Sequence, residues 1–343
     1  MKLLNRCLPV LCVLTFSIAQ AQSDSAAWYF EKGKEEKAAR RYREAEKKFV
    51  KAVSLDSKNL SYYMELADTY SAQNRYFDAR ETFIKAEKVQ PDNPVVIENL
   101  ASLSFNTRKW DDVIKYSKKA QELKVAKPVN YFIGTAYYHQ ENYGEAIKYL
   151  TAAAKDEPTK AEIQYTIGRS YVDMSNYKQA ATHFEKAIAL DSSKVNWIYE
   201  AGLIYYAIPD YKKSLHYIKL AGDRGYAKSN DYLENLGSAY LNVGQFEPAI
   251  EEYKKVLVRK PNDVTILYQI AQAYYRDKKY QSAIDYWDQV MVNDKTNAKA
   301  LYMIGLSYQK KGEKQKGTQL CDRAIQMDPS LQSLKQKQGD MGL

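Results

Sequence analysis

Residues 60–93 read LSYYMELADTYSAQNRYFDARETFIKAEKVQPDN. Within them Leu66, Ala67, Tyr70, Tyr76, Ala79, Phe83, Ala86 and Pro91 fall at spacings that suit two short helices separated by a tight turn at Asn74-Arg75. Pro91 closes the second helix, because proline lacks the N–H that a continuing helix needs. The pattern recurs along the chain. Aligned on the small residue of the second helix, one column reads Ala45, Ala79, Val113, Ala146, Ala180, Ser214, Ala249, Ala283 and Gly317, with successive gaps of 33 to 35 residues. A fixed period of this length marks a stacked repeat, in which each unit buries its apolar face against its neighbours.

Other columns agree. The eighth position of each unit is Gly33, Ala67, Ala101, Gly134, Gly168, Gly202, Gly237, Ala271 and Gly305. The twenty-seventh is Ala52, Ala86, Ala120, Ala153, Ala187, Ala221, Val256, Val290 and Ala324. Helix backbones approach closely only where side chains are small. Larger residues such as Ile133, Phe83 and Trp287 fill the space between these contacts. The ends depart from the pattern: Lys32 and Glu36 in the first unit, and Lys314, Gly317 and Cys321 in the last, read as capping features of the terminal repeats. The third unit is weak, with Ser104 and Ser117 in core columns.

In combination these columns resemble the tetratricopeptide repeat family over about residues 26–331. The resemblance implies an all-α, right-handed superhelical solenoid of about nine helix–turn–helix units, starting near 26, 60, 94, 127, 161, 195, 230, 264 and 298. It also implies that the first helices line a concave groove in which partner proteins are held. Chaperone-binding members resemble one another in a lysine–asparagine clamp at the fifth and ninth positions. No such pair stands there in this chain.

Composition fits this reading. The chain has 343 residues and is 45% hydrophobic, and its scarcity of glycine (14) and proline (9) argues against a loop-rich β protein. Residues 1–21 differ from the rest: Lys2 and Arg6 precede an apolar run from Leu8 to Ile18, and Ala19-Gln20-Ala21 has the small-x-small pattern of a signal-peptidase site. A secretory signal peptide is expected, leaving the repeat array over 22–331 and a tail over 332–343. Cleavage would leave Cys321 as the one cysteine, so stability must come from packing. The net charge of +9 falls to +7 without Lys2 and Arg6. Lysine and glutamate are intermixed without a basic block, which with export argues against nucleic acid. No further apolar stretch of membrane-spanning length follows the leader.

No catalytic constellation is legible. His139, His183 and His216 lie in different units and different columns, and there is no CxxC, no HExxH and no phosphate-cradling glycine loop. No cofactor, metal or enzymatic activity is expected. Cys321 stands in a core column and reads as a buried, inert thiol.

The chain holds 31 tyrosines. Thirteen fall in the eleventh and seventeenth positions, where the ring can pack and the hydroxyl can reach water or a loop carbonyl. Positions 2, 5, 9, 12 and 13 of each first helix lie opposite the core stripe and are expected to face the groove. They supply Tyr131, Tyr138, His139, Tyr165, Arg169, Tyr199, Tyr206, Tyr268, Tyr275, Arg276, Tyr302 and Lys310. Two readings stand: an aromatic-lined channel for a partner segment, or tyrosines packed between neighbouring first helices. Units four to nine are favoured as the site, because units one to three offer a more polar groove. The expected function is a periplasmic protein-interaction scaffold or adaptor within an envelope or secretion assembly, associated with the outer membrane through its partners. The alternative is a glycan or peptidoglycan binder using the same tyrosines.

Overall fold

A computed structural model describes residues 24–125 and 129–334. The expected leader, and all but the first three residues of the expected tail, lie outside them. Among the described residues there are helices and no strands. The chain forms two compact units that divide between Met174 and Ser175.

The first unit contains α1 (residues 24–38), α2 (Tyr42–Leu55), α3 (Leu60–Ala72), α4 (Tyr76–Val89), α5 (Pro94–Asn106), α6 (Trp110–Glu122), α7 (Val129–His139), α8 (Tyr143–Asp156) and α9 (Ala161–Asp173). The second contains α10 (Tyr177–Leu190), α11 (Val195–Ala207), α12 (Tyr211–Asp223), α13 (Asn230–Asn242), α14 (Phe246–Arg259), α15 (Val264–Arg276), α16 (Tyr280–Asn293), α17 (Ala298–Lys310), α18 (Lys314–Met327) and a 3₁₀ turn, Pro329–Leu331. Within each unit every helix packs on the next in sequence, and α7 also touches α5 and α9.

The helix ends follow from local chemistry. Asn93 accepts hydrogen bonds from the Val95 and Val96 N–H groups, with Pro94 in the first helical position, and Asp263 does the same for Thr265 and Ile266. The turns inside the hairpins share one design. The N–H three residues past the helix bonds back to the carbonyl of the eleventh-position residue: Arg75 to Tyr70 at 3.0 Å, Lys109 to Ser104 at 2.9 Å, Asn142 to Tyr137 at 2.9 Å and Lys279 to Tyr274 at 2.9 Å. The residue between adopts left-handed backbone at Asn74, Arg108, Glu141 and Lys278. Asn142 and Asn176, at the end of their turns, cap the following helix, accepting from the Glu145 and Gln179 N–H groups.

The small columns mark where helices meet. A Cβ on Gly134 would lie 2.6 Å from Leu150 Cγ and 2.9 Å from the Leu150 backbone nitrogen, so α7 and α8 are in backbone contact there. In the last hairpin a Cβ on Gly317 would lie 2.5 Å from the Gly305 carbonyl oxygen. Cys321 is buried as expected. Gly317 and Cys321 are therefore packing residues and not part of a polar cap; of the three last-unit departures only Lys314 is exposed.

Ser104 and Ser117, the weak columns of the third hairpin, are fully buried. Ser104 accepts from Arg80 Nε at 3.3 Å, and Arg80, a residue only 8% exposed, pairs through its guanidinium with Glu81 and Asp112. Ser104 is thus part of a cross-link between α4, α5 and α6, whereas Ser117 takes no part in it. The eleventh-position tyrosines also differ from expectation. Their hydroxyls meet charged side chains of the preceding second helix: Lys118 donates to Tyr137 Oη at 3.0 Å, and Tyr205 Oη donates to Glu185. Their rings stack on a tyrosine of the second helix in Tyr137–Tyr149, Tyr205–Tyr217 and Tyr274–Tyr286, with centroids 5.5–5.7 Å apart.

Candidate functional site

The expected groove residues separate by position. The fifth-position tyrosines belong to packing. Tyr302 is 1% exposed, within the cluster that holds Leu301, Cys321 and Leu331, and so offers nothing to a partner. Tyr199 is 8% exposed: Tyr226 stacks on its ring at 4.2 Å and Asn235 donates to its hydroxyl at 2.7 Å. Tyr226 comes from the loop after α12, the stretch where the repeat spacing lengthens to 35. Both residues are corrections to the groove reading, because a neighbouring element covers each ring. Tyr131, Tyr165 and Tyr268 are half-buried. Lys160 sits 3.6 Å above the Tyr131 ring and Lys299 5.4 Å above that of Tyr268. Burial pushes the Tyr268 hydroxyl up to about 12.

The twelfth and thirteenth positions, at the end of each first helix, are more open. Tyr206 is 40% exposed and accepts from Asn242 Nδ2 at 3.1 Å. His139, Arg276 and Lys310 are exposed, while Tyr138 and Tyr275 are half-buried, as is Arg169 at the ninth position of its helix; of these, all but Arg169 stand at the helix end. The twelfth- and thirteenth-position residues do not line one groove in company with the fifth-position tyrosines. They share the turn-side edge of their hairpins with the aromatic residue that opens the second helices α6, α8, α12 and α16.

That edge repeats a device absent from the sequence-based expectation. The twelfth-position ring meets the seventeenth-position ring of its own hairpin in Phe105–Trp110 (6.0 Å, 80°), Tyr138–Tyr143 (5.9 Å, 52°), Tyr206–Tyr211 (5.5 Å, 65°) and Tyr275–Tyr280 (5.6 Å, 64°). Edge-to-face contact suits the ring quadrupoles. The thirteenth-position group then lies over the seventeenth-position ring of the preceding hairpin. His139 stacks on Trp110 at 4.3 Å and 11°, and the Arg276 guanidinium sits 5.4 Å from the Phe246 centroid. The signal is present in the sequence as aromatics five residues apart across these four turns.

The richest stretch lies on α5–α8. Phe105 stacks on Phe132 at 4.6 Å and contacts Tyr131 at 5.8 Å, so Phe105, Trp110, Tyr131, Phe132, Tyr138 and His139 form a continuous aromatic shelf. The third hairpin, expected to be polar here, supplies two of its rings. Burial, followed by the charge of Arg108, holds the His139 imidazole below its ordinary value, so it is neutral at pH 7. Burial raises the Tyr138 hydroxyl, with Arg169 and Asp173 acting on it in opposite directions. Among the described residues no cluster of His, Cys, Asp and Glu could hold a metal, and no helix is long and apolar enough to cross a membrane.

Family models described as tetratricopeptide or TPR repeat match residues 30–94 and 165–222, 237–278, 266–295 and 298–331. One described as anaphase-promoting complex, cyclosome, subunit 3 matches residues 106–187. Matches to the repeat models together span more than half of the chain, which belongs to the tetratricopeptide repeat family. No curated protein matches it. Among solved structures, the C-terminal part of a TPR repeat-containing protein from Cytophaga hutchinsonii is 20% identical with a TM-score of 0.54, covering 72% of this chain and 99% of that one. That likeness bears on the fold alone. Also similar are YrrB, described as a TPR protein with an unusual peptide-binding site (22% identity, TM-score 0.44, 52% and 92% coverage), and PilW, described as a type IV pilus biogenesis factor (18%, 0.45, 62% and 97%).

Proposed function

We propose that this protein is a non-catalytic, exported scaffold that holds segments of partner proteins along the turn-side edge of its hairpins, in the periplasm of a bacterium. One observation carries the reading. The shelf of Phe105, Trp110, Tyr138 and His139 leaves large aromatic groups part-exposed at helix ends, held in place by one another. Aromatic anchors held rigid by neighbours are what protein interfaces use, since they offer contact area at little entropic cost. Export rests on the basic start, apolar run and Ala19-Gln20-Ala21 of the first 21 residues.

The test is site-specific photo-crosslinking in the producing cell. A photoreactive residue at His139 or Tyr206 is expected to capture protein partners in the periplasmic fraction. The same residue at Val258, which is 84% exposed on α14, is expected to capture none. Equal capture at all three positions, or none at either edge position, would refute the edge as the site.

A further inference from the structure

The shelf on α5–α8 has a chemistry of its own. Its rings close on one another. Phe132 lies against Phe105, His139 covers a face of Trp110, and Phe105 meets Trp110 at 80°. The surface left between them is corrugated and rich in ring edges. A sugar ring needs an open flat face to stack on. A corrugated surface instead suits an aliphatic or proline side chain seated between edges.

Its electrostatics point one way. Ring edges carry the positive end of the aromatic quadrupole. Arg108 and Lys109, both exposed in the turn that leads into Trp110, make no ion pair among the described residues. The nearby acids are mostly engaged: Asp111 accepts from Gln140 at 2.7 Å, and Asp112 is paired with Arg80. Glu141 is the exposed exception, and Asp173 acts on Tyr138 beside Arg169. Granted that this edge docks proteins, we propose that the α5–α8 shelf selects an acidic–aliphatic peptide segment, with an aliphatic or proline residue seated against Phe105, Trp110 and His139 and a neighbouring carboxylate held by Arg108 and Lys109.

The geometry supplies variants that separate recognition from folding. Arg108 occupies left-handed backbone at φ 55°, so Arg108→Gly removes a charge while relieving strain. Lys109 is the N-cap of α6 without a side-chain cap bond, so Lys109→Ser removes the second charge and adds a cap. The double variant is therefore expected to be at least as stable as wild type. His139→Ala trims an exposed ring.

The full mature chain is immobilised and panned against a random peptide library, with soluble peptidoglycan fragments as a parallel arm. Enriched peptides are expected to carry aspartate or glutamate next to leucine, isoleucine, valine or proline. A synthetic peptide of that consensus should bind roughly tenfold more weakly to the double variant, and more weakly to His139→Ala. Its affinity should also fall with added salt. Enriched peptides that are basic or neutral, or that bind the double variant undiminished, would overturn the selectivity while leaving the scaffold reading intact. Enrichment insensitive to His139→Ala would place the peptides away from the shelf and overturn the proposal. Binding of peptidoglycan fragments with no peptide enriched would overturn both.

Discussion

Two glycines of one hairpin should respond to alanine in opposite senses. At Gly134 a new methyl would sit 2.6 Å from Leu150 Cγ and 2.9 Å from the Leu150 backbone nitrogen. Carbon–carbon contacts prefer about 3.5–4.0 Å, so the shortfall is about 1 Å. A side chain could rotate away, but the backbone nitrogen moves only with α8. That retreat loosens the cluster of Ala146, Leu150, Ala153, Ile163 and Ile167. Overpacking of this kind costs about 1–3 kcal/mol. The better helix propensity of alanine returns about 1 kcal/mol. Gly134→Ala is therefore expected to lose up to about 2 kcal/mol net. Gly144, in the first turn of α8, has nothing within 4 Å of its would-be Cβ. Gly144→Ala should keep the propensity gain of up to about 1 kcal/mol. Urea unfolding followed by circular dichroism reads both as shifts of midpoint at constant slope. Repeat arrays can unfold in segments, so hydrogen exchange of α7 and α8 amides gives the local value. A Gly134→Ala variant stabilised as Gly144→Ala is would refute the claim that backbone contact sets this hairpin.

Other expectations come from the packing. Ser117 Oγ is buried without a hydrogen-bond partner, so Ser117→Ala should be neutral or gain about 1 kcal/mol, whereas Arg80→Met should lose about 1–3 kcal/mol by stranding Ser104 and Asp112; chemical denaturation of each variant checks the pair. Lys278 holds left-handed backbone at φ 61°, and Lys278→Gly should raise stability by about 1 kcal/mol in a thermal melt. Burial pushes the hydroxyls of Tyr205, Tyr232, Tyr253 and Tyr268 up to about 12 from the ordinary 10.0. The folded state keeps protons that the unfolded chain loses, so this stability is complete below pH 10 and is lost as pH rises towards 12. Tyrosinate absorbance should accordingly rise in two phases, the later one coinciding with unfolding.

The repeat is legible because close approach leaves a chemical trace: a small residue, glycine at Gly134 and Gly305 and alanine at Ala67 and Ala271, stands where two helices meet. The fate of the fifth-position tyrosines is not, because the stripe facing a groove and the stripe facing the next first helix are the same side of a helix. Only the fold shows that Tyr226 reaches Tyr199, although the lengthened spacing nearby hints at an unusual loop. The third hairpin misleads for a related reason. Ser104, Ser117 and Asn106 make it look polar, while Phe105 and Trp110 lie either side of the turn and pair only once the chain has reversed.

The hairpin turns are closed by main-chain hydrogen bonds to the eleventh-position carbonyl, whatever side chains occupy them. Asparagine, arginine, glutamate, lysine and glycine all hold the left-handed place. The fold therefore places little demand on the chemistry of this rim. A lineage could rewrite residues such as Arg108, Lys109 and Glu141 to greet a different partner without disturbing the helices behind them. On the proposed reading of the edge as the docking site, recognition and architecture are inherited on separate residues of the same short turn.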